Sequence, residues 1–279
     1  MCIRDSPHTD HQLIDRFSPV RPPRVLLAED NPANQQLVSL MLQRFGCRVE
    51  VAADGCEAVS AVRSFPYDLV VMDCQMPEMD GMEATQEIRK LPPPMGQVPV
   101  VALTANAFRE DKERCLEAGM NDFLSKPLTL ESLQLVLKRW LATHPLSTET
   151  ASGVRQSVAQ TQQTTFAIKD ELASVRARIQ ELSAILDEEA GRRSWELFLS
   201  DSKQTLAAAN AQLAAGHTDA LARSAHRLAG GALMIGAHGI AQRSKQLEAE
   251  AKRGDLSASS ELLSGLHAYV SRVVAEDPA

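Results

Sequence analysis

The chain has 279 residues and a formal net charge of −7, a length that favours two domains of ordinary size. Hydrophobic residues make up 44% and charged residues 23%, which excludes a wholly disordered chain. The excess of 36 acidic over 29 basic residues argues against a nucleic-acid partner, and no apolar run reaches the ~18 residues that span a bilayer. We therefore expect no membrane contact by this chain and a cytoplasmic location, either free or as the cytoplasmic part of a membrane-bound sensor. The scattered cysteines predict neither a disulfide framework nor a zinc site.

The first half alternates short apolar runs with helical patterns. Five β-rich runs start near residues 25, 47, 68, 98 and 122, and a helical stretch follows each of them. The runs mostly lack polar alternation, as expected of strands that helices cover on both faces. This pattern predicts an α/β domain built on a doubly wound, five-stranded parallel sheet of the flavodoxin-like kind.

The second half has a different composition. Ser, Thr, Gln and Pro dominate residues 145–166, which favours a flexible linker. Beyond this segment, apolar residues recur at helical spacing and predict an all-α bundle of four or five antiparallel helices. The predicted division is a disordered segment over 1–21, the α/β domain over 22–143, the linker over 144–167 and the bundle over 168–275.

Polar residues stand where the predicted strands end. Glu29 and Asp30 follow the first strand, Asp73 the third, Thr104 the fourth and Lys126 the fifth. Ligands of such sheets bind beyond the carboxyl ends of the strands. Three carboxylates held close together repel by several kcal/mol, so either a cation neutralises them or their pKa values rise. A hard divalent cation with oxygen ligands, Mg²⁺ above all, is expected there. Asp73 is then a candidate nucleophile that forms an aspartyl phosphate, and Thr104 and Lys126 are candidates for binding phosphoryl oxygens.

Each of these residues, taken alone, also suits a structural role. Asp30 could cap the helix that follows it, and Lys126 could belong to a surface loop. Together, the motifs resemble the receiver domain of two-component response regulators over about residues 22–143. The segments that carry the resemblance are Leu26–Asn31, Met72–Gly81, Ala102–Ala105 and Ser125–Pro127.

The resemblance implies a phosphoacceptor and a metal site. Asp73 would accept the phosphoryl group. Asp30 and Asp73 would bind Mg²⁺ together with the backbone carbonyl of Gln75, and Glu29 would act through water.

The resemblance also implies roles for residues near the fourth and fifth strands. Thr104 and Lys126 match the switch and phosphate-contacting positions of the family. Phe123 matches its switch aromatic, which is often Tyr, so a hydroxyl is missing here. Cys74, beside the phosphoacceptor, is interpreted as a packing residue.

One of the seven histidines, His226, has a distinctive neighbourhood. On a helix its neighbours three and four positions away are Ala222, Arg223, Ala229 and Gly230, and three of these are very small. A second glycine follows directly, and each helical glycine costs about 1 kcal/mol relative to alanine. Such a stretch makes sense if another protein must approach an exposed imidazole. A helix packed tightly through small residues, with the histidine as a satisfied polar group, is the alternative.

The same stretch resembles the histidine phosphotransfer (HPt) domain over about residues 168–275. The His-x-Leu-x-Gly pattern that starts at His226 and the later Ile-Gly-Ala match that family. The resemblance implies that His226 carries a phosphoryl group. Ala229 stands where the family usually has lysine, and Arg223 or Arg227 could supply the positive charge. Gly230 would give a partner room to approach.

A receiver followed by an HPt domain resembles the C-terminal part of unorthodox hybrid sensor histidine kinases of the virulence-sensor type. This implies a phosphorelay with a histidine kinase upstream and a response regulator receiver downstream. The chain lacks the glycine boxes of the kinase, so phosphoacceptor modules rather than an enzyme are expected. An alternative is a receiver with a helical docking or dimerisation module that is not phosphorylated. A transcription regulator is disfavoured, because residues 146–279 hold 14 basic and 16 acidic residues without a helix-turn-helix pattern.

Overall fold

The computed structural model of the chain describes residues 21–105, 109–141, 167–187 and 189–276. The predicted disordered segment and the predicted linker lie almost entirely outside these residues. Among the described residues, no helix is both long and apolar enough to cross a bilayer.

The first half contains a parallel sheet with the strand order β2-β1-β3-β4-β5, which confirms the predicted fold class. The strands are β1 (Arg24–Ala28), β2 (Arg48–Ala52), β3 (Leu69–Asp73), β4 (Val100–Thr104) and β5 (Asp122–Ser125). Each begins within two residues of its predicted start. The register pairs Ala28 with Met72 and Thr104 with Ser125, so the carboxyl ends of neighbouring strands lie side by side.

Helices cover both faces of the sheet. They are α1 (Pro32–Arg44), α2 (Gly55–Ser64), α3 (Gly81–Arg89), α4 (Arg109–Glu117) and α5 (Leu130–Leu141). Alternate residues of the strands enter two separate clusters: Leu27 and Val71 pack with α1 and α5, whereas Leu26 and Met72 pack with α2, α3 and α4. Both faces are therefore buried, which explains why the strands show so little polar alternation.

The described residues of the second half form five helices, in agreement with the predicted bundle. They are α6 (Ile168–Ile185), α7 (Ala190–Ala214), α8 (Thr218–Met234), α9 (His238–Arg253) and α10 (Leu256–Ala275). Trp195 and Phe198 stack in its core, with ring centroids 5.6 Å apart. Buried Glu171 of α6 accepts hydrogen bonds from the backbone N–H groups of Gly239 and Ile240, which satisfies donors of the first turn of α9.

The helical bundle packs directly on the α/β domain. Helix α1 contacts α7 and α8, and one continuous hydrophobic cluster extends from the α1–α5 face of the sheet into the bundle. The guanidinium of Arg178 on α6 donates to the carbonyl of Leu128, 2.7 Å away in the loop before α5. This packing brings the end of the sheet that carries the polar residues against α8.

Candidate functional site

Three carboxylates converge at the carboxyl end of the sheet. Glu29 and Asp30 follow β1, Asp73 ends the adjacent strand β3, and one oxygen from each lies within 4.8 Å of the others. Glu29 and Asp73 are only 1% and 3% exposed, because the strands that carry them are buried on both faces. The predicted cluster is thus assembled by the register of two neighbouring strands.

A lysine ammonium lies inside this cluster. The Nζ atom of Lys126 is 2.7 Å from Oδ2 of Asp73 and 2.8 Å from Oε2 of Glu29, and all three side chains are buried. The other Glu29 oxygen, Oε1, accepts from the amide of Asn34 at 2.8 Å. Both oxygens of Glu29 are therefore engaged by the protein itself.

Burial and the neighbouring charges shift the pKa values of several groups in the cluster. Burial, reinforced by the neighbouring carboxylates, raises the pKa of Glu29 to about 8 and that of Asp30 to about 6. Burial alone would lower the pKa of Lys126, but Asp73 and Glu29 outweigh this effect and raise it. The protonated forms of Glu29 and Asp30 are therefore favoured over a wider pH range than in water. A compact set of hard oxygen donors with excess negative charge fits a hard divalent cation such as Mg²⁺.

His226 on α8 lies at the same cavity as Asp73. Both residues, together with Gln75, Thr104 and Cys74, line a partly open cavity of about 50 Å³. One water needs roughly 10–15 Å³ measured in this way, so the space can accept a group larger than a single water. Residues that are 153 positions apart in the sequence thus share one small chamber.

The imidazole is held on its other side. Nδ1 of His226 lies 3.1 Å from Oε2 of Glu248 on α9, and Oε1 of Glu248 accepts from Nζ of Lys252 at 2.6 Å. Burial alone would raise the pKa of Glu248, but its contacts with His226 and Lys252 outweigh burial and lower it. An ionised Glu248 favours the tautomer with the proton on Nδ1, which leaves Nε2 unprotonated.

Glycines allow α8 to approach the α/β domain. A β-carbon added to Gly230 would lie 3.7 Å from Nζ of Lys126, and one added to Gly231 would lie 3.1 Å from Nδ2 of Asn31. Longer side chains at these positions would enter the site itself. The surface that approaches the histidine is the α/β domain of the same chain.

Comparisons with known proteins match each half separately. The model of the response regulator receiver domain matches residues 25–138, and the model of the Hpt domain matches residues 193–276. The chain therefore contains a receiver domain and an Hpt domain. Receiver and Hpt domains are phosphotransfer modules, and their presence in one chain supports a part in phosphorelay signalling.

Curated relatives of the receiver include hybrid sensor kinases. The sensor protein GacS of Pseudomonas syringae pv. syringae is 44% identical over 122 residues, which are 43% of this chain and 14% of GacS. The histidine-protein kinase BarA of Escherichia coli K12 is 42% identical over 116 residues, which are 42% of this chain and 12% of BarA. The chain therefore matches only a small part of the length of these relatives.

Solved structures also include similar receivers. The receiver domain of a Pseudomonas aeruginosa sensor histidine kinase is 47% identical, covers 43% of this chain and 98% of that chain, and gives a TM-score of 0.41. That structure has a magnesium ion coordinated in its active-site cleft. A chain from the co-crystal of the Saccharomyces cerevisiae phosphotransfer protein Ypd1 with the Ssk1 receiver is 32% identical, with 43% and 89% coverage and a TM-score of 0.40.

The remaining predicted site residues of the receiver lie around its acidic cluster. Thr104 ends β4 at the shared chamber, and the backbone N–H of Gln75 is 3.4 Å from Oδ1 of Asp73. Phe123 is half-buried, with Nζ of Lys112 4.1 Å above its ring. Cys74 contacts Cys115 with their sulfurs 3.5 Å apart.

The ring of His226 is less accessible than the exposed imidazole expected from its small neighbours. The His226 side chain is only 17% exposed, because the receiver covers the face that its small neighbours leave open. Arg227 points at Asp30 of the receiver, whereas Arg223 is exposed at a wider cavity next to His226.

Sequence reasoning missed two functional candidates in the Hpt domain, Asp201 on α7 and Glu248 on α9. The spacing of acidic residues along a helix does not reveal which partner each one faces, so neither had a recognisable signature.

Proposed function

We propose that Asp73 accepts a phosphoryl group and exchanges it with His226 of the same chain. The observation that carries the proposal is the cavity that Asp73, Thr104 and His226 line together, with Nζ of Lys126 2.7 Å from Oδ2 of Asp73. The alternative of a docking module without phosphorylation gives no reason for an imidazole at the phosphoacceptor.

The transfer follows from the groups present. Nε2 of His226 attacks the phosphorus of the aspartyl phosphate, so an N–P bond forms while the O–P bond to Asp73 breaks. The bonding electron pair returns to the Asp73 carboxylate. Lys126 and Thr104 stabilise the phosphoryl oxygens, and Glu248 holds the proton on Nδ1 and offsets the positive charge that develops on the ring. The reverse sequence returns the group to Asp73.

Mg²⁺ is part of the proposal as the receiver's cofactor. Asp30 and Asp73 would hold it directly with the backbone carbonyl of Gln75, and Glu29 would act through water. When bound, the cation supplies positive charge against the carboxylates and the phosphoryl oxygens. The buried cluster of oxygen donors supports this assignment.

The wider pathway is proposed from the two domain types. A histidine kinase would load Asp73, and His226 would pass the group to the receiver of a separate response regulator. The proposed receiver spans residues 22–143 and the proposed Hpt domain spans 168–275, which includes α6 because this helix packs within the bundle. A cytoplasmic location belongs to the same proposal.

The test uses the full chain, radiolabelled acetyl phosphate and Mg²⁺. We expect label on both Asp73 and His226, which are distinguished by the base lability of acyl phosphates and the acid lability of phosphohistidine. Asp73→Asn should abolish all labelling. His226→Gln should keep the acyl phosphate and lose the phosphohistidine, whereas exposed His217→Gln at the start of α8 should behave like the wild type. Phosphohistidine in His226→Gln would overturn the assignment.

A further inference from the structure

A buried hydrogen bond joins the two domains beside the phosphoacceptor site. The side-chain amide of Asn31 in the receiver donates from Nδ2 to Oδ2 of Asp201 on α7 of the Hpt domain, 2.8 Å away. Asn31 is 1% exposed and Asp201 is 7% exposed. A charged acceptor buried at such an interface needs its donors, because an unpaired buried carboxylate is costly.

The orientation of the Asn31 amide is fixed from within the receiver. Its Oδ1 accepts from the backbone N–H groups of Ala33 and Asn34, at 2.9 and 3.2 Å, and so caps α1. The amide therefore must point its NH₂ group outward to Asp201. Exchanging the oxygen and nitrogen would lose the cap and place two acceptors against each other.

Arg227 completes the contact from the Hpt side. Its guanidinium donates to Oδ1 of Asp201 at 2.5 Å and lies 3.4 Å from Oδ2 of Asp30. Each oxygen of Asp201 thus has one donor, one from each domain. Gly231 leaves room for this arrangement, because a β-carbon there would lie 3.1 Å from Nδ2 of Asn31.

We propose that Asp201 is a specificity-determining residue of the Hpt surface, which selects a receiver with an asparagine amide directly after its first acidic pair. The receiver of the same chain presents this group, so the domains dock in cis with His226 in register with Asp73. The expected effect on phosphoryl transfer rests on the proposed function. The docking of the receiver on the Hpt domain does not depend on it.

An exchange of the two groups tests the pair. Asn31→Asp retains an Oδ1 atom that can cap α1 but places a carboxylate against Asp201. In the full chain we expect the radius of gyration in X-ray scattering to increase, and single-turnover transfer from prephosphorylated Asp73 to His226 to slow by roughly tenfold or more. Adding Asp201→Asn to Asn31→Asp restores one donor and one acceptor, so compactness and most of the rate should return.

Two controls distinguish loss of the Asn31–Asp201 contact from a general change of charge and from damage to the receiver. Asp170→Asn removes one exposed carboxylate of the Hpt domain away from the interface and should change neither measurement. The level of acetyl phosphate labelling at Asp73 shows whether Asn31→Asp damages the receiver itself.

Transfer from His226→Gln to Asp73→Asn can occur only between chains, and we expect it to be slower than wild-type transfer and dependent on concentration.

The possible results are distinct. The role of Asp201 would be overturned if the double variant had the same large radius of gyration and slow transfer as Asn31→Asp. It would also be overturned if Asn31→Asp kept the wild-type radius of gyration and transfer rate. Transfer between chains as fast as within the wild type would overturn docking in cis. If the wild type puts no label on His226 while scattering still follows the exchange, the proposed function fails and the docking pair stands.

Discussion

The backbone of α8 passes directly over Lys126 at Gly230, where an added β-carbon would lie 3.7 Å from Nζ. That distance is an ordinary contact, so a methyl group fits there, whereas a longer side chain would have to share the space in front of Lys126. The glycine thus affects how closely the histidine-bearing helix approaches the acidic cluster of the receiver.

Two substitutions at Gly230 should therefore behave differently. Gly230→Ala should transfer at nearly the wild-type rate and raise the free energy of unfolding by up to about 1 kcal/mol, because alanine favours the helix. Gly230→Leu should keep the bundle folded and slow transfer by about tenfold or more, because it displaces the receiver from reacting distance. Single-turnover kinetics and urea unfolding check both. Equal rates for the two variants would show that close approach here is unimportant.

The metal-free protein should lose stability as pH rises. Glu29 and Asp30 have a folded-state pKa of about 8 and about 6, above their ordinary values near 4. The folded state thus holds protons that the unfolded state has released, and this stabilisation is lost as pH rises through about 6 and 8. In EDTA, the free energy of unfolding should fall between pH 5 and pH 8, by about 1.4 kcal/mol per pH unit for each proton held.

Urea unfolding at four pH values measures this slope. Asp30→Asn should make the fall of the free energy of unfolding with pH less steep and should stabilise the metal-free chain. Mg²⁺ should also reduce this fall, because it binds the ionised carboxylates. A metal-free stability that rises over this pH range would contradict the assignment.

Asp30 should matter more than Glu29 for Mg²⁺ affinity. Both oxygens of Glu29 are occupied, by Lys126 and Asn34, whereas Asp30 has only the 3.4 Å contact with Arg227 among the contacts found in the described residues. We expect wild-type binding in the sub-millimolar to millimolar range, about tenfold or more weaker binding in Asp30→Asn, and a smaller loss in Glu29→Gln. Titration calorimetry measures these affinities. A larger loss in Glu29→Gln would exchange the two roles.

Glu248 should act on His226 as a positioning residue. Glu248→Ala removes the acceptor at Nδ1, so transfer should slow by roughly tenfold or more as the Nε2-nucleophile tautomer loses its support. Glu248→Gln keeps an oxygen acceptor and should recover much of the rate. Nitrogen NMR of the His226 ring reports the tautomer directly. An unchanged tautomer in Glu248→Ala would reduce Glu248 to a packing residue.

The two arginines near His226 should not be equivalent. Arg227→Ala leaves Asp201 and Asp30 without their shared cation, so the domains should separate more readily and transfer should slow. Arg223→Ala removes an exposed side chain and should have a smaller effect. X-ray scattering and single-turnover rates on matched samples compare the two. A larger effect of Arg223→Ala would make it the substitute for the missing lysine.

The sequence by itself determined the parts of each domain. Strand-forming runs place Glu29, Asp30, Asp73, Thr104 and Lys126 at strand ends, and parallel strands bring their carboxyl ends to one edge whatever the rest of the chain does. Helical periodicity and the small residues around His226 likewise come from local sequence. These features depend on short-range spacing, which a single sequence displays.

The tertiary structure alone decided which residues meet across the two domains. Asn31 and Asp201 are 170 positions apart, and Arg227 and Asp30 are 197 apart, so no periodic pattern relates them. The accessibility of His226 also depends on long-range packing, since Asp73 and Gln75 of the receiver line its cavity and Glu248 of α9 contacts its ring. Such contacts between residues distant in sequence depend on how the buried surfaces of the two domains pack together. This packing involves the whole folded chain, so no single segment of the sequence reveals it.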